Sequence, residues 1–143
     1  MGDFVASNIL KLMIKTDINV RNAKIYIMGA SFKENTPDIR NSKVEDIINY
    51  LLSYNIEPIL VEPVVDEAEL AKIYNIKTAK LGEVKDADCI VFAVAHDQFK
   101  ELEFKDIENM FKSSENNKKI VIDIKNILDS EKFKNNNYIY WTM

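Results

Sequence analysis

The chain has 143 residues, of which 47% are hydrophobic and 29% are charged, a balance typical of one folded domain with its own core. Its formal net charge of −4 argues against a general nucleic-acid binder, because binding to the phosphate backbone needs a basic surface. The single cysteine excludes an internal disulfide and any multi-cysteine metal site, and no apolar run approaches the roughly 18 residues of a membrane span. We expect a cytoplasmic protein without a metal site.

Hydrophobic patterning predicts alternating helices and strands along the chain. The first element is a helix over residues 1–18, in which apolar residues recur near helical spacing. The predicted strands are short apolar runs at residues 23–28, 57–61, 76–79, 89–94, 120–122 and 138–141. The later predicted helices begin at Ser42, Asp66, Leu81, His96 and Ser130. Ser42 and Asp66 each precede a glutamate by three residues, which is the capping-box pattern.

This alternation predicts an α/β fold, a doubly wound parallel sheet of about five to six strands that resembles the Rossmann type. We see no composition shift or linker within residues 19–143, so that region is predicted to be a single domain. The helix over residues 1–18 precedes it and is treated separately, because it is a candidate part of a neighbouring domain.

The loop over residues 29–42 is the most informative segment, because it joins a buried strand to a well-marked helix. In a doubly wound sheet, the loops after the first and fourth predicted strands flank the point where a ligand crevice opens. These loops begin at Gly29 and Ala95, and the loop after the next strand begins at Asp123. The sequence therefore predicts a binding crevice at the carboxyl edge of the sheet.

Three cations and one aromatic ring in these loops suit a phosphorylated ligand that carries a base. Lys33, Arg40 and Lys125 offer hydrogen-bond donors to phosphate oxygens, and Phe32 offers a ring for stacking. Three of these residues have a structural alternative. Phe32 would fill a hydrophobic gap, Arg40 would pair with Asp38 or cap the loop, and Lys125 would be an ordinary surface lysine.

Three segments of the chain resemble a known family. They are G-A-S-F-K-E-N-T-P-D-I-R-N-S at residues 29–42, the Val-Glu-Pro turn at 61–63 and A-D-C-I-V-F-A-V-A-H at 87–96. Together they resemble the C-terminal domain of the UDP-glucose/GDP-mannose dehydrogenase family, and within it the bacterial UDP-N-acetylhexosamine 6-dehydrogenases of capsule and O-antigen synthesis. The family commonly has Asp-Pro at the turn, where this chain has Glu62-Pro63.

The resemblance implies an enzyme that oxidises the C6 alcohol of a UDP-sugar to a carboxylate with NAD and a cysteine nucleophile. By resemblance, Phe32 and Lys33 match the substrate-binding pair, and Lys125 matches a basic residue that contacts the substrate. Arg40 matches the arginine that reaches NAD held mainly by an N-terminal domain. Residues 1–18 resemble the tail of the central inter-domain helix, so the full-length enzyme is expected to be a homodimer or higher oligomer.

This chain contains no G-x-G-x-x-G segment and no glycine-rich segment around a catalytic cysteine. Cys89 lies inside an apolar run, where a thiol behaves as a small hydrophobe, so we predict no catalytic residue here. His96 is either an acid–base group or, as we expect, a structural hydrogen-bonding residue. The chain alone is therefore predicted to bind UDP weakly without catalysis.

Two other functions compete with this interpretation. One is a stand-alone flavodoxin-like regulatory or binding module such as a receiver domain. Lys125 fits a receiver's lysine, but Gly29-Ala30-Ser31 lacks the acidic pair that a receiver carries after its first strand. The other is a purely structural dimerisation piece that uses the apolar stripe of the first helix.

Overall fold

The structure is a computed structural model that describes residues 2–31, 35 and 43–143. A sheet of five parallel strands in the order β2-β1-β3-β4-β5 forms its centre. The strands are β1 (Ile25–Met28), β2 (Ile59–Val61), β3 (Cys89–Phe92), β4 (Ile120–Asp123) and β5 (Ile139–Thr142). The α-helices are α1 (Gly2–Lys15), α2 (Val44–Ser53), α3 (Glu67–Ile73), α4 (Asp97–Lys100), α5 (Phe104–Glu108) and α6 (Ser130–Asn135). Short 3₁₀ turns cover Leu81–Glu83 and Asn116–Lys118.

The sheet is covered on both faces, which explains why its strands are almost wholly apolar. Every residue of β1, β3 and β4 is buried, as expected for a parallel sheet between two layers of helices. Alternate side chains enter two separate hydrophobic clusters. Ile25 and Ile27 belong to the cluster that includes α1 and α2, whereas Tyr26 and Met28 belong to the cluster that includes α4, α5 and α6. The predicted fold class is therefore confirmed.

Helix α1 packs against this sheet instead of extending away from it. It contacts α2 and β4, and it buries Val5, Ile9 and Met13 in the first cluster. Its other side remains open, with Phe4 and Ile14 exposed. No helix in the described part of the chain is long and apolar enough to cross a membrane.

The predicted strand over residues 76–79 was wrong as a separate element. A single bridge forms there, between Thr78 and Leu60. It consists of two hydrogen bonds, in which the Leu60 N–H donates to the Lys77 carbonyl and the Leu60 carbonyl accepts from the Ala79 N–H. This segment therefore lies along the outer edge of β2 without becoming a sixth strand.

Two helix predictions also needed correction. The helix predicted from His96 to residue 111 divides into α4 and α5. Asp66 is the N-cap residue of α3, but its side chain makes no capping hydrogen bond, so the predicted capping box is not formed. The corresponding prediction for Ser42 lies outside the described residues, and the described helix begins at Val44.

Candidate functional site

The strand register brings the carboxyl ends of four strands to one edge of the sheet. Met28 aligns with Val61 on one side and with Phe92 on the other, and Phe92 aligns with Asp123. Strands β1 and β3 are neighbours, while β2 lies on the far side of β1. The order of the strands therefore reverses between β1 and β3, which is where open α/β sheets bind ligands. The strand order thus confirms the predicted switch point between these two strands, and the binding crevice expected there stays a prediction.

Gly29 allows the chain to leave β1 close to the end of β3. Its φ of +100° is a conformation that residues with a side chain rarely adopt. Its N–H donates to the Val61 carbonyl at 2.7 Å, which extends the pairing with β2 by one residue. A Cβ atom at this position would lie 2.6 Å from the Val94 Cβ. The start of the loop therefore requires glycine for both its backbone conformation and its closeness to β3.

The Glu62 carboxylate is the buried acceptor that holds the first residues of this loop. Its side chain follows β2 and the residue is only 5% exposed. Oε1 accepts from the N–H groups of Ala30 at 2.8 Å and Ser31 at 3.0 Å, and Oε2 accepts from Val64 N–H at 2.9 Å. Burial by itself would raise the pKa of Glu62, but hydrogen bonds from His96 and from backbone N–H groups outweigh it and lower the pKa.

His96 continues this network from the end of β3 and is fully buried. Its Nε2 lies 2.9 Å from Glu62 Oε1 and 3.2 Å from Ser31 Oγ. Its Nδ1 accepts a hydrogen bond of 2.8 Å from the N–H of Asn35. Asn35 in turn uses its Oδ1 to accept from Asp97 N–H, at the start of α4, at 3.1 Å. The expected structural hydrogen-bonding role of His96 is confirmed by these contacts.

A second buried carboxylate organises the loop that carries Lys125. Asp123 Oδ1 accepts from Ile127 N–H at 3.0 Å, and Oδ2 accepts from Leu128 N–H at 2.9 Å and from the Tyr140 hydroxyl at 2.6 Å. Burial and the nearby Asp123 carboxylate raise the pKa of Tyr140, so its hydroxyl stays protonated as the donor. Strand β5 therefore supports the loop after β4 through a side-chain contact as well as through sheet pairing.

Lys125 is the one predicted site residue within the described part of the chain. It is exposed and borders a cleft of about 60 Å³ at the carboxyl edge of the sheet. Lys43, next to the first residue of α2, borders the same cleft. Phe32, Lys33 and Arg40 lie outside the described residues.

Sequence analysis did not identify two residues that the structure brings to this edge. Lys43 was not singled out, although it adjoins the predicted start of a helix. Glu62 was considered only as a turn residue. The sequence feature that points to Glu62 is its position, since it is an acidic residue directly between an apolar strand and a proline.

The single cysteine is not placed for reaction at this edge, because it is the first residue of β3 and lies at the opposite end of that strand. Cys89 is fully buried in β3, and its burial raises the pKa of the thiol, which keeps it protonated. Within residues 2–31, 35 and 43–143, no group of three or more histidine, cysteine or acidic side chains is arranged to hold a metal ion.

Comparison with known proteins gives one consistent family. Residues 26–130 match the family model described as the UDP binding domain of the UDP-glucose/GDP-mannose dehydrogenase family. The UDP-N-acetyl-D-glucosamine 6-dehydrogenase of Salmonella typhi is 37% identical over 133 residues, which is 92% of this chain and 30% of that protein. Protein CapL of Staphylococcus aureus is 34% identical and is covered to the same extent, 92% of this chain and 30% of that protein.

Solved structures share the fold. A UDP-D-ManNAc dehydrogenase from Pyrococcus horikoshii superposes with a TM-score of 0.77 at 23% identity, over 99% of this chain and 30% of that one. At this identity the similarity concerns the fold alone. The chain thus spans about 30% of the length of the proteins that it matches.

Proposed function

Because this chain belongs to the UDP-glucose/GDP-mannose dehydrogenase family, we propose that it binds the UDP part of a UDP-sugar. The observation that carries the proposal is the match of residues 26–130 to the family's UDP binding domain. The reversal of strand order between β1 and β3 supports it, because this is the place where sheets of this topology hold nucleotides.

Phe32, Lys33 and Lys125 are the proposed UDP-binding residues, with the ring against the base and the amino groups against the diphosphate. Two described contacts support Phe32 and Lys33. Ser31, which precedes this pair in sequence, donates its N–H to Glu62, and Asn35, which follows it, donates its N–H to His96. Lys125 is supported by its exposed position beside the cleft at the same edge.

For the whole protein we propose an NAD-dependent UDP-sugar 6-dehydrogenase that oxidises a UDP-hexose or UDP-N-acetylhexosamine to the uronic acid. NAD would be the hydride acceptor and would be held mainly by a domain outside this chain. Residues 19–143 would be the UDP-binding domain, and Arg40 of this domain would contact the NAD. Residues 1–18 would be the tail of the inter-domain helix of a homodimer or higher oligomer. We also propose a cytoplasmic location and a role in bacterial capsule synthesis, and the name Protein CapL supports the second of these.

Catalysis is not proposed for this chain by itself, because it offers no cysteine outside the core. Two or three charge-assisted hydrogen bonds and one stacked ring leave a few kcal/mol after the costs of association. We therefore expect UDP to bind with a dissociation constant in the millimolar to high-micromolar range.

A calorimetric or chemical-shift titration of the chain with UDP, UMP, ADP and GDP tests the proposal. We expect UDP to bind most tightly, and we expect no NAD reduction when a UDP-sugar and NAD are added. Equal affinity for all four nucleotides would favour the stand-alone module. No binding of any of them would favour a purely structural role.

The variant Lys33→Ala tests the residue assignment in the same titration. Removing the ionic donor should weaken UDP binding about tenfold. The matched control Lys72→Ala removes an exposed lysine from α3, on another part of the surface, and should leave the affinity unchanged. Equal affinity in the wild-type protein and in Lys33→Ala would exclude Lys33 from the site.

A further inference from the structure

We infer that His96 is a positioning residue for UDP binding, which ties the loop after β1 to the end of β2 through one defined tautomer of its ring. The inference rests on the proposed function, because UDP is the ligand whose binding the loop is expected to support. His96 itself is fully buried and is not proposed to contact UDP.

The hydrogen bonds of His96 determine which nitrogen carries the proton. Nδ1 accepts from the N–H of Asn35, so it must present a lone pair. Nε2 faces the Glu62 carboxylate at 2.9 Å, and a carboxylate that already receives backbone N–H groups is an acceptor, so Nε2 must donate. The ring is therefore neutral and protonated at Nε2.

Neither alternative form of the ring satisfies both partners. With the proton on Nδ1, two N–H donors would face each other at Asn35. Two acceptors, Nε2 and the Glu62 carboxylate, would face each other with no hydrogen between them. A doubly protonated ring would keep the bond to Glu62 but would lose the bond to Asn35. Glu62 therefore selects the form of His96 that is able to hold Asn35.

The network holds both described ends of the segment that contains Phe32 and Lys33. Glu62 accepts from Ala30 and Ser31 on the upstream side, and His96 accepts from Asn35 on the downstream side. Because Glu62 and His96 are bonded to each other, the positions of the two ends depend on one buried pair. Affinity for UDP should therefore depend on residues that do not touch it.

The His96 side of these bonds is closed to water. The Phe99 ring lies against His96 with a centroid separation of 5.4 Å, and both residues are fully buried. Asn35 itself is exposed, so its N–H would find water by moving away from the ring, and loss of the Nδ1 acceptor should release Asn35 from this position.

The wild-type chain gives the first test, which requires no variant. Because the chain contains one histidine, a long-range ¹H–¹⁵N spectrum reports its ring without ambiguity. We expect the Nε2–H tautomer at pH 7, and we expect saturating UDP to slow hydrogen exchange of the Asn35 amide, since coupling between the two is reciprocal. The Nδ1–H tautomer, or unchanged exchange of the Asn35 amide upon UDP binding, would overturn the inference.

Two substitutions separate the two hydrogen bonds of the ring. The amide of asparagine reaches as far as Nδ1, whereas the amide of glutamine reaches as far as Nε2. His96→Asn therefore retains an acceptor for Asn35, and His96→Gln retains a donor for Glu62. We expect His96→Gln to weaken UDP binding about tenfold and to speed exchange of the Asn35 amide. His96→Asn should stay within about threefold of the wild-type affinity.

The outcomes distinguish this inference from the proposed function. If the wild-type chain binds UDP and both variants bind it equally well, the positioning role is wrong. If the wild-type chain binds no UDP, the proposed function fails, while the tautomer and the exchange rates still report the network itself. If neither variant folds, the wild-type tautomer and the effect of UDP on Asn35 exchange decide the question.

Discussion

Glu62, His96 and Asp123 are buried polar side chains at the carboxyl edge of the sheet. A buried polar group is costly unless it is hydrogen-bonded, and each of these three has its partners. Most of those partners are backbone N–H groups of the adjoining loops. These side chains therefore accept the hydrogen bonds that the N–H groups of the loops would otherwise give to water, and so they fix the positions of the loops.

Gly29 gives a direct test at this scale. In Gly29→Ala the new Cβ would lie 2.6 Å from the Val94 Cβ, on a backbone with φ of +100°. We expect the free energy of unfolding, measured by urea denaturation, to fall by about 2 kcal/mol or more. The control Gly82→Ala meets no atom within 4 Å and should change stability by less than about 1 kcal/mol. Equal stability of the two variants would contradict the close approach.

Among the elements, the loop between β4 and α6 shows how a strand supports a loop that is not its neighbour in sequence. Asp123 ends β4 and holds the N–H groups of Ile127 and Leu128, while Tyr140 of β5 donates to the same carboxylate. The Thr142 hydroxyl donates to the Asp123 carbonyl at 2.6 Å. The proposed ligand residue Lys125 thus lies on a loop whose shape depends on β5.

Asp123→Asn tests this dependence. In the wild-type protein, N–H and O–H donors face both oxygens of Asp123. Asparagine would replace one of these oxygens with an NH₂ group, which is itself a donor, so we expect a loss of about 2 kcal/mol of stability. Hydrogen exchange of the Ile127 and Leu128 amides should become faster. Asp86→Asn is the matched control, because Asp86 is exposed and asparagine tolerates its φ of 56°. Unchanged exchange of the two amides in Asp123→Asn would contradict the arrangement.

The whole molecule combines a sheet covered on both faces with a polar edge. The two hydrophobic clusters supply most of the buried apolar area, and the polar residues at the carboxyl edge lie beyond the ends of the strands. Stability should therefore have a part that is insensitive to pH, from the two clusters, and a part that depends on the ionised state of Glu62.

Acid unfolding tests the second part. The pKa of Glu62 is lowered in the folded state from its ordinary value of 4.5, so its ionised form stabilises the fold above that pH. The contribution is lost as pH falls through the folded-state pKa. We expect the difference in unfolding free energy between wild type and Glu62→Gln to be largest at pH 7 and to shrink below about pH 4.

Glu67→Gln is the matched control for this experiment, because Glu67 is exposed on α3 and loses the same charge. It should follow the wild-type protein across the whole pH range. A difference between wild type and Glu62→Gln that stays constant from pH 7 to pH 3 would show that the ionised carboxylate is not the stabilising form.

The sequence by itself determined the class of fold and the family. Apolar runs such as residues 89–94 predicted strands covered on both faces, because burial on both faces removes the alternation of polar and apolar residues. The regular alternation with helices predicted a parallel sheet, and therefore a crevice after the first strand. The motif in residues 29–42 indicated the family. Local patterns suffice for these conclusions because they depend on neighbours along the chain.

Only the tertiary structure decided how the edge of the sheet is held together. Glu62 and His96 are 34 positions apart, and Asn35 and His96 are 61 apart, yet they form one buried network. Their side chains meet because β1, β2 and β3 are aligned in parallel, and no periodicity in the sequence records that alignment. The segment at residues 76–79 failed as a strand for the same reason, since pairing depends on how a neighbouring strand is placed in space.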